Sequence, residues 1–364
     1  MRVVGGTLAR YFGMRFLNTV LLVFAGIFLL VALIDYIELM RRAADIPNVP
    51  AILVAKTSLY RVPQVTERIL PFCILIGAMS SYLNLSRRLE LVVARSAGMS
   101  AWQFVAPALI VAFLFGVFAT AVYNPISAVL QERSKRFEAE LFGQNTPGTQ
   151  SGGPFWLGQK TGTGQAIINA TSSRDQGVSL FGVTIFTFDS AGQFHQRIEA
   201  RSAILEPGMW RLLNARVYEL KKLPLDLAEF RLQTSLTPEQ VRESFATPET
   251  VPFWELPLYI QIAENAGLGA AGYRLQFQKL LARPFFLAAM VFLAAAVSLR
   301  FFRFGGIQKM VLSGVAAGFL LYILQKVTED LSKADLMHPV AAAWLPVLVG
   351  GLTGFMALLY QEDG

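Results

Sequence analysis

Six apolar runs decide what this chain can become: Phe16–Ile37, Val62–Leu85, Trp102–Tyr123, Ala282–Leu299, Met310–Val327 and Val340–Tyr360. Each is close to the roughly 20 residues a helix needs to cross the hydrocarbon core of a bilayer. Inside that core every peptide N–H and C=O must be satisfied within the structure, which leaves the helix as the form for runs of this length. Only 16% of the 364 residues are charged, against about a quarter in a soluble domain, and the mean hydropathy is +0.47. The sequence therefore predicts an α-helical polytopic membrane protein with six transmembrane helices. Residues 1–15 read as a basic amphipathic lead at the membrane surface. The first run is too long for a signal-peptide core and no small-residue cleavage pattern follows it, so it is expected to be a retained span.

Between the third and fourth runs the texture changes. Residues 126–142 carry both charges, including Glu132, Arg133, Lys135 and Arg136, and suit an amphipathic helix. A Gly/Thr/Gln linker covers Gly143–Gly153. From Pro154 to Leu236 short alternating runs follow: Ala166–Ala170, Val183–Phe188, Phe194–Ala200, Met209–Leu213, Arg216–Leu220 and Phe230–Leu236. Turn residues such as Asp189-Ser-Ala-Gly192 and Glu206-Pro-Gly208 separate them, as in a β-sandwich or jelly roll. In Val183–Phe188 both faces are apolar, which suits either a central strand or a strand with one face on a greasy groove. Thr237–Pro252 is a second linker, and Phe253-Trp-Glu-Leu-Pro257 opens a short helix to about Gly267. Three domains are expected: 1–142 with helices one to three, 143–252 as an inserted all-β domain, and 253–364 with helices four to six.

Loop charges set the orientation. With the N-terminus inside, the cytoplasmic side holds Arg2, Arg10, Arg15, Arg87, Arg88, Arg95, Arg300, Arg303 and Lys309. The outer loops hold Arg41, Arg42, Lys56, Arg61, Lys326 and Lys333, a modest positive-inside bias that places the β domain outside. Both termini are then cytoplasmic. The net charge of +7 is spread over loops and membrane edges without a dense basic tract, which favours anionic lipid heads over nucleic acid.

Catalytic constellations are nearly absent. There are two histidines, His195 and His338, and one cysteine, Cys73. No zinc-site spacing, Walker sequence, dinucleotide fingerprint or nucleophile elbow occurs, so neither a metal nor a cofactor is expected. Work done by such a chain draws on a gradient or on a partner. Two features stand out instead. Glu90-Leu-Val-Val-Ala-Arg-Ser-Ala-Gly-Met-Ser100 is a charged helix-former between two apolar runs. It reads equally as an inert interfacial helix or as a segment a soluble partner grips. At the other membrane face, Arg41, Arg42, Arg133, Arg136, Arg274, Lys279, Arg283 and Lys326 lie near span ends. Arginines make short, often bidentate bonds to phosphate, so a ring of them suits a phosphorylated amphiphile; the alternative is anchoring to lipid heads or pairing with Glu38, Glu132 and Asp330. Gly314 and Gly318 in span five, like Gly350 and Gly354 in span six, have the small-xxx-small spacing that permits close helix approach.

Four features together resemble the lipopolysaccharide export permeases LptF and LptG: Leu33-Ile-Asp-Tyr-Ile-Glu-Leu-Met-Arg-Arg42, the Glu90–Gly98 segment, the β insert, and Phe253-Trp-Glu-Leu-Pro257. The first two lean towards the LptG branch. The resemblance implies a Gram-negative inner-membrane subunit of an ABC transporter. It would pair with an LptF-type second permease around a cavity open to the outer leaflet. An LptB-type ATPase dimer would bind the coupling helices, and an LptC-type single-span protein and a jelly-roll bridge would carry lipopolysaccharide onward. It further implies ATPase coupling through Glu90, Leu91, Arg95 and Gly98. Arg41, Arg42, Arg133, Arg136 and Lys326 would meet lipid A phosphates. Gly314 and Gly318 would pack at a lateral gate formed by span five and the partner's span one. Asp35 departs from the family, since some LptG proteins hold a base near there. An acid repels phosphate, and a base on another helix is its alternative partner. Competing readings are a permease for another amphiphile, such as lipoproteins, and a non-transporting scaffold with a β ectodomain. Lipoprotein permeases place their large outer domain after the first of four spans, and a scaffold needs neither a coupling segment nor a basic rim.

Overall fold

A computed structural model describes residues 6–44, 50–96, 98–143, 155–161, 164–174, 177–189, 192–219, 222–234, 237, 247–265, 270–304 and 306–363. Six helical runs are long and apolar enough to span a membrane. The helices are α1 (Gly6–Ala43), α2 (Ala51–Arg87), α3 (Glu90–Ser96), α4 (Ala101–Phe118), α5 (Asn124–Gly143), α6 (Leu256–Asn265), α7 (Ala271–Phe304), α8 (Ile307–Lys333) and α9 (Pro339–Asp363). Strands β1 (Phe155–Thr161), β2 (Gly164–Arg174), β3 (Ser179–Asp189), β4 (Phe194–Glu206), β5 (Met209–Glu219) and β6 (Leu225–Gln233) lie between α5 and α6. The chain divides into two compact units, one of residues 1–138, 252–254 and 274–364, the other of 139–251 and 255–273.

In the helical unit, several helices outrun their apolar cores. The 37 residues of α2 make a helix roughly 55 Å long, nearly twice the thickness of a hydrocarbon core. α2 and α7 are the most enclosed, with 56% and 61% of their apolar windows buried, whereas α1 buries 6% and α8 22%. The core joins Phe16 and Val20 of α1 to Leu70, Ile74 and Leu75 of α2, Phe104 and Ala112 of α4, and Met290 and Ala294 of α7. Gly77 lets α1 approach α2, because a Cβ there would lie 3.0 Å from the Cα of Val20.

Prolines explain where the helical boundaries depart from the sequence reading. Where the third apolar run ends, at Tyr123, the helix does not stop: a π-helical turn, Ala119–Tyr123, carries α4 on into α5. Proline lacks an N–H and crowds the carbonyl four residues back; for Pro125 that is Ala121, whose oxygen accepts instead from Trp254 Nε1 at 3.0 Å. Pro284 likewise frees the carbonyl of Leu280, which accepts from Thr120 Oγ1 at 2.9 Å. With that carbonyl satisfied, α7 passes through Pro284, and the polar stretch 274–283 forms its first turns.

The β unit is one antiparallel sheet in sequential order, β1 to β6. Met209–Leu213 and Arg216–Leu220 prove to be largely one strand, β5, interrupted at Asn214, which has φ of 52°. Within β3 the side chains of Val183, Ile185 and Thr187 are buried while Phe186 and Phe188 are half-buried. The strand is thus third of six in its sheet and has a less covered aromatic face as well. The sheet curls over its own core of Ile168, Ile185, Ile198, Trp210 and Leu212. Gln159 of β1 demonstrates the curl: its Oε1 accepts from Trp210 Nε1 of β5 at 3.2 Å and from Thr234 Oγ1 at 2.6 Å.

Candidate functional site

The segment between α2 and α4 folds into a seven-residue helix, α3, bracketed by left-handed residues. Leu89 has φ of 60° and Gly98 of 82°, the second in the conformation that costs glycine no Cβ strain. The N–H groups of Gly98 and Met99 close its C-terminus on the carbonyls of Arg95 and Ala94, at 2.9 and 3.1 Å. Leu91 and Ala94 face inward. Glu90, at the first helical position, is fastened from within. Arg15 Nη1 of α1 donates to both carboxylate oxygens at 2.6 and 2.7 Å, and the Tyr11 hydroxyl donates to Oε2 at 3.2 Å. Arg95 lies over the Phe104 ring, 6.0 Å from its centroid. Outward, α3 and its entry expose the apolar Leu89, Val92 and Val93 beside the polar Arg87, Arg88 and Ser96.

The basic residues sort into two sets at the opposite end of the bundle. Arg283 of α7 donates to Glu67 of α2 at 2.6 Å, in a network that also brings Asn124 Nδ2 to Glu67 at 2.8 Å and the Ser127 hydroxyl to its other oxygen. Asn124 Oδ1 in turn accepts the backbone N–H of Phe253 at 3.0 Å. Lys279 meets Glu329 at 2.8 Å. Arg61 bridges Asp35 at 3.3 Å and Glu138 at 3.0 Å, so the acid that stood out in the sequence has its base on another helix. In the second set, Arg41 and Arg42 share Glu38, each at 2.9 Å, and Lys326 meets Asp330 at 3.2 Å. These three cations keep large exposed faces. Arg133 is exposed too, while the Arg136 side chain lies outside the described positions. Arg283 and Lys279 are thus consumed by acids inside the bundle, and Arg41, Arg42, Lys326 and Arg133 are available to an outside anion.

Gly314 and Gly318 are buried and face α2 of the same chain. A Cβ would collide with Met79 at the first and with Leu75 at the second. Their close approach serves an intrachain contact, and elsewhere on α8 Leu312, Phe319 and Leu320 are exposed.

Sequence reasoning passed over the Glu67–Arg283 pair and the grip of Arg15 on Glu90. A signal for the first existed: Glu67 stands inside an apolar run, where an ionisable residue marks function or a buried partner. The second had none, because only the folded chain shows that Arg15 and Glu90 meet.

A six-span bundle with a β insert after the third span and a short charged helix after the second has the form of a multi-pass membrane protein. The family model for the lipopolysaccharide export system permease LptF/LptG matches residues 10–360, and the chain belongs to that family. It is similar to the lipopolysaccharide export system permease protein LptG of Escherichia coli K12, 22% identical over 354 residues that make up 94% of each chain. It is also similar to the LptG protein of Haemophilus influenzae, 23% identical over 357 residues, 94% of this chain and 95% of that one.

Proposed function

We propose that the chain is the LptG-type permease subunit of an ABC transporter in the inner membrane of a Gram-negative bacterium. In this reading it extracts lipopolysaccharide from the outer leaflet and passes it to a periplasmic jelly-roll bridge. ATP is hydrolysed by a separate LptB-type ATPase dimer. An LptF-type subunit completes the cavity, and an LptC-type protein joins it. The β unit is then periplasmic and α3 cytoplasmic.

The observation that supports this most is the exposed apolar patch of α3. Leu89, Val92 and Val93 are exposed on a helix whose inward residues and leading carboxylate are held by the bundle. A soluble ATPase docking on such a patch buries apolar area, and the rigid seat of α3 transmits the push to α1 through Arg15. Leu91 acts by seating the helix, Gly98 by ending it, and Glu90 and Arg95 from its edge. Arg41, Arg42, Arg133, Arg136 and Lys326 are the proposed contacts for lipid A phosphates. The large exposed faces of α1 and α8 are the proposed gate surfaces for the companion permease, with Gly314 and Gly318 setting how closely α8 lies on α2.

The test is affinity purification of the tagged chain from its own membranes. An ATPase, a second six-span permease and a single-span jelly-roll protein are expected to accompany it. Recovery without any ATPase removes the transport role.

A further inference from the structure

The packing of α2 on α8 singles out an arginine that belongs to neither set of cations described above. Met79 packs on Gly314, Leu75 on Gly318, and the Phe72 ring meets that of Tyr322 with centroids 5.5 Å apart. The numbers fall on one helix as they rise on the other, so the two helices are antiparallel. One turn further from the α3 end, about four residues on each helix, the same register sets Arg68 of α2 alongside Lys326 of α8. Both side chains are exposed.

Arg68 lacks an acid. The residues three and four positions from it are Gln64, Val65, Pro71 and Phe72. Its neighbour Glu67 is buried and already takes Arg283, Asn124 and Ser127. No ion pair reaches Arg68 among the described residues. Lys326 has the half-exposed Asp330 one turn beyond, at 3.2 Å, so two cations share one screened carboxylate. A charge inside an apolar span is costly, and one without an acid marks a ligand or its path. Arg68 stands within the apolar run 62–85 and Lys326 at the far end of the run 310–327. The pair therefore lies where the hydrocarbon of a leaflet gives way to head groups.

What lies on the α3 side of the pair is apolar. Arg68, Phe72 and Ile76 recur every four residues, and Phe319, Tyr322 and Lys326 at spacings of three and four, so each set shares a helix face. Ile76, Phe319 and Tyr322 are exposed. Two cations at one height fit an anion with several acceptor oxygens, and the exposed side chains below them fit the hydrocarbon attached to it.

We propose that Arg68 and Lys326 together bind a phosphate of the lipopolysaccharide cargo, with acyl chains against Ile76, Phe319 and Tyr322. Arg68 then selects phosphorylated over dephosphorylated cargo. This rests on the transport function proposed above and adds to it a specificity-determining residue.

The test uses the assembled transporter, purified with its companions into nanodiscs that contain phosphatidylglycerol and loaded with lipopolysaccharide. A photo-crosslinking residue replaces Ile76; a second preparation carries the probe beside Arg41. Arg68→Gln is expected to lower the lipopolysaccharide adduct at position 76 about tenfold, and Lys326→Gln about threefold because Asp330 already takes part of its charge. Arg68→Lys should restore most of the signal. Cargo stripped of its lipid A phosphates should bring the wild type down to the level of Arg68→Gln and leave that variant unchanged. Equal adducts in wild type and Arg68→Gln overturn the proposal. A phosphatidylglycerol adduct that falls with Arg68→Gln while the lipopolysaccharide adduct does not would assign the pair to bulk anionic lipid and overturn it too. So would an adduct to a companion chain in place of either lipid. If the probe beside Arg41 still captures lipopolysaccharide in these cases, the transport function stands and only this assignment falls; a wild type that captures none at either probe removes both.

Discussion

The two ends of the helical bundle treat charge in opposite ways. At the α3 end an ion pair works as a peg: Arg15 holds Glu90 from inside, and an exposed apolar patch of Leu89, Val92 and Val93 stands beside the exposed Arg87 and Arg88. At the opposite end the inner acids, Glu67, Glu329 and Asp35, each take a base from another helix. The cations beyond them, Arg41, Arg42 and Lys326, pair among the described residues within their own helix and stay exposed. An exposed apolar patch suits a protein partner that excludes water. An exposed cationic fringe above satisfied inner charges suits a phosphorylated ligand. Charge content alone would have ranked the two ends alike; which charges are already spoken for separates them.

The largest expected effect tests the inner network. Glu67→Ala leaves the part-buried guanidinium of Arg283 without its counter-charge, and removing one member of a fully buried pair costs about 3–5 kcal/mol, an upper bound here. Thermal unfolding of the solubilised protein should show a marked loss of stability. The double variant Glu67→Leu/Arg283→Met should recover most of it, since an apolar pair of similar volume is often neutral. A single variant as stable as the wild type would mean that this end is not held by its inner charges, and the contrast would fail.

Next in size is the outward face of α3. Val93 is 65% exposed, so Val93→Asp should leave folding intact. At the centre of a protein interface the same change should weaken ATPase co-purification by about tenfold or more. Unchanged recovery of the ATPase would make the α3 end an inert membrane-surface helix.

The bundle was largely legible because each span is apolar for most of its circumference, and lipid demands that wherever the partners lie. The sheet was legible where a short apolar run ends at turn residues, as Val183–Phe188 does at Asp189-Ser-Ala-Gly192. It was misread where one residue broke the pattern: the left-handed Asn214 lies within β5, and the single strand reads as two runs in the sequence. β1, with Gly158, Gln159, Lys160 and Thr161, has little strand character of its own and owes its place to pairing with β2. The candidate site was legible as residue types and positions, including the α3 segment and the cationic ends. Which charges remain available was not, because that depends on pairs remote in sequence. Arg283 and Glu67 are 216 positions apart, and no local pattern foretells that they meet.

A smaller effect probes the peg. Arg15 and Glu90 are 19% and 28% exposed, so their coupling is partly screened. A double-mutant cycle of Arg15→Gln and Glu90→Gln should give about 1 kcal/mol or less in unfolding. The functional readout should be larger than that modest stability implies. If α3 is the coupling helix proposed above, either single variant should lower ATP hydrolysis by the assembled transporter while the ATPase still co-purifies, with the peg positioning α3 and the apolar patch meeting the partner. Loss of co-purification in Arg15→Gln would instead place Glu90 in the grip itself and blur the difference between the two ends.

The smallest structural effect belongs to the cationic fringe. Arg41 and Arg42 share one acid on their own exposed helical face, and such pairs are strongly screened by solvent. Arg41→Gln/Arg42→Gln should leave the melting temperature unchanged. Photo-crosslinking to lipopolysaccharide from a probe placed beside them should fall by about threefold, since charge-assisted bonds to phosphate are lost, and by less at high salt. The same loss from Lys279→Gln, whose charge is already paired inside with Glu329, would show that cargo is sensed through the whole bundle. If only the exposed cations respond, the division between inner charges that hold the fold and outer charges that meet the ligand is confirmed at the level of single residues.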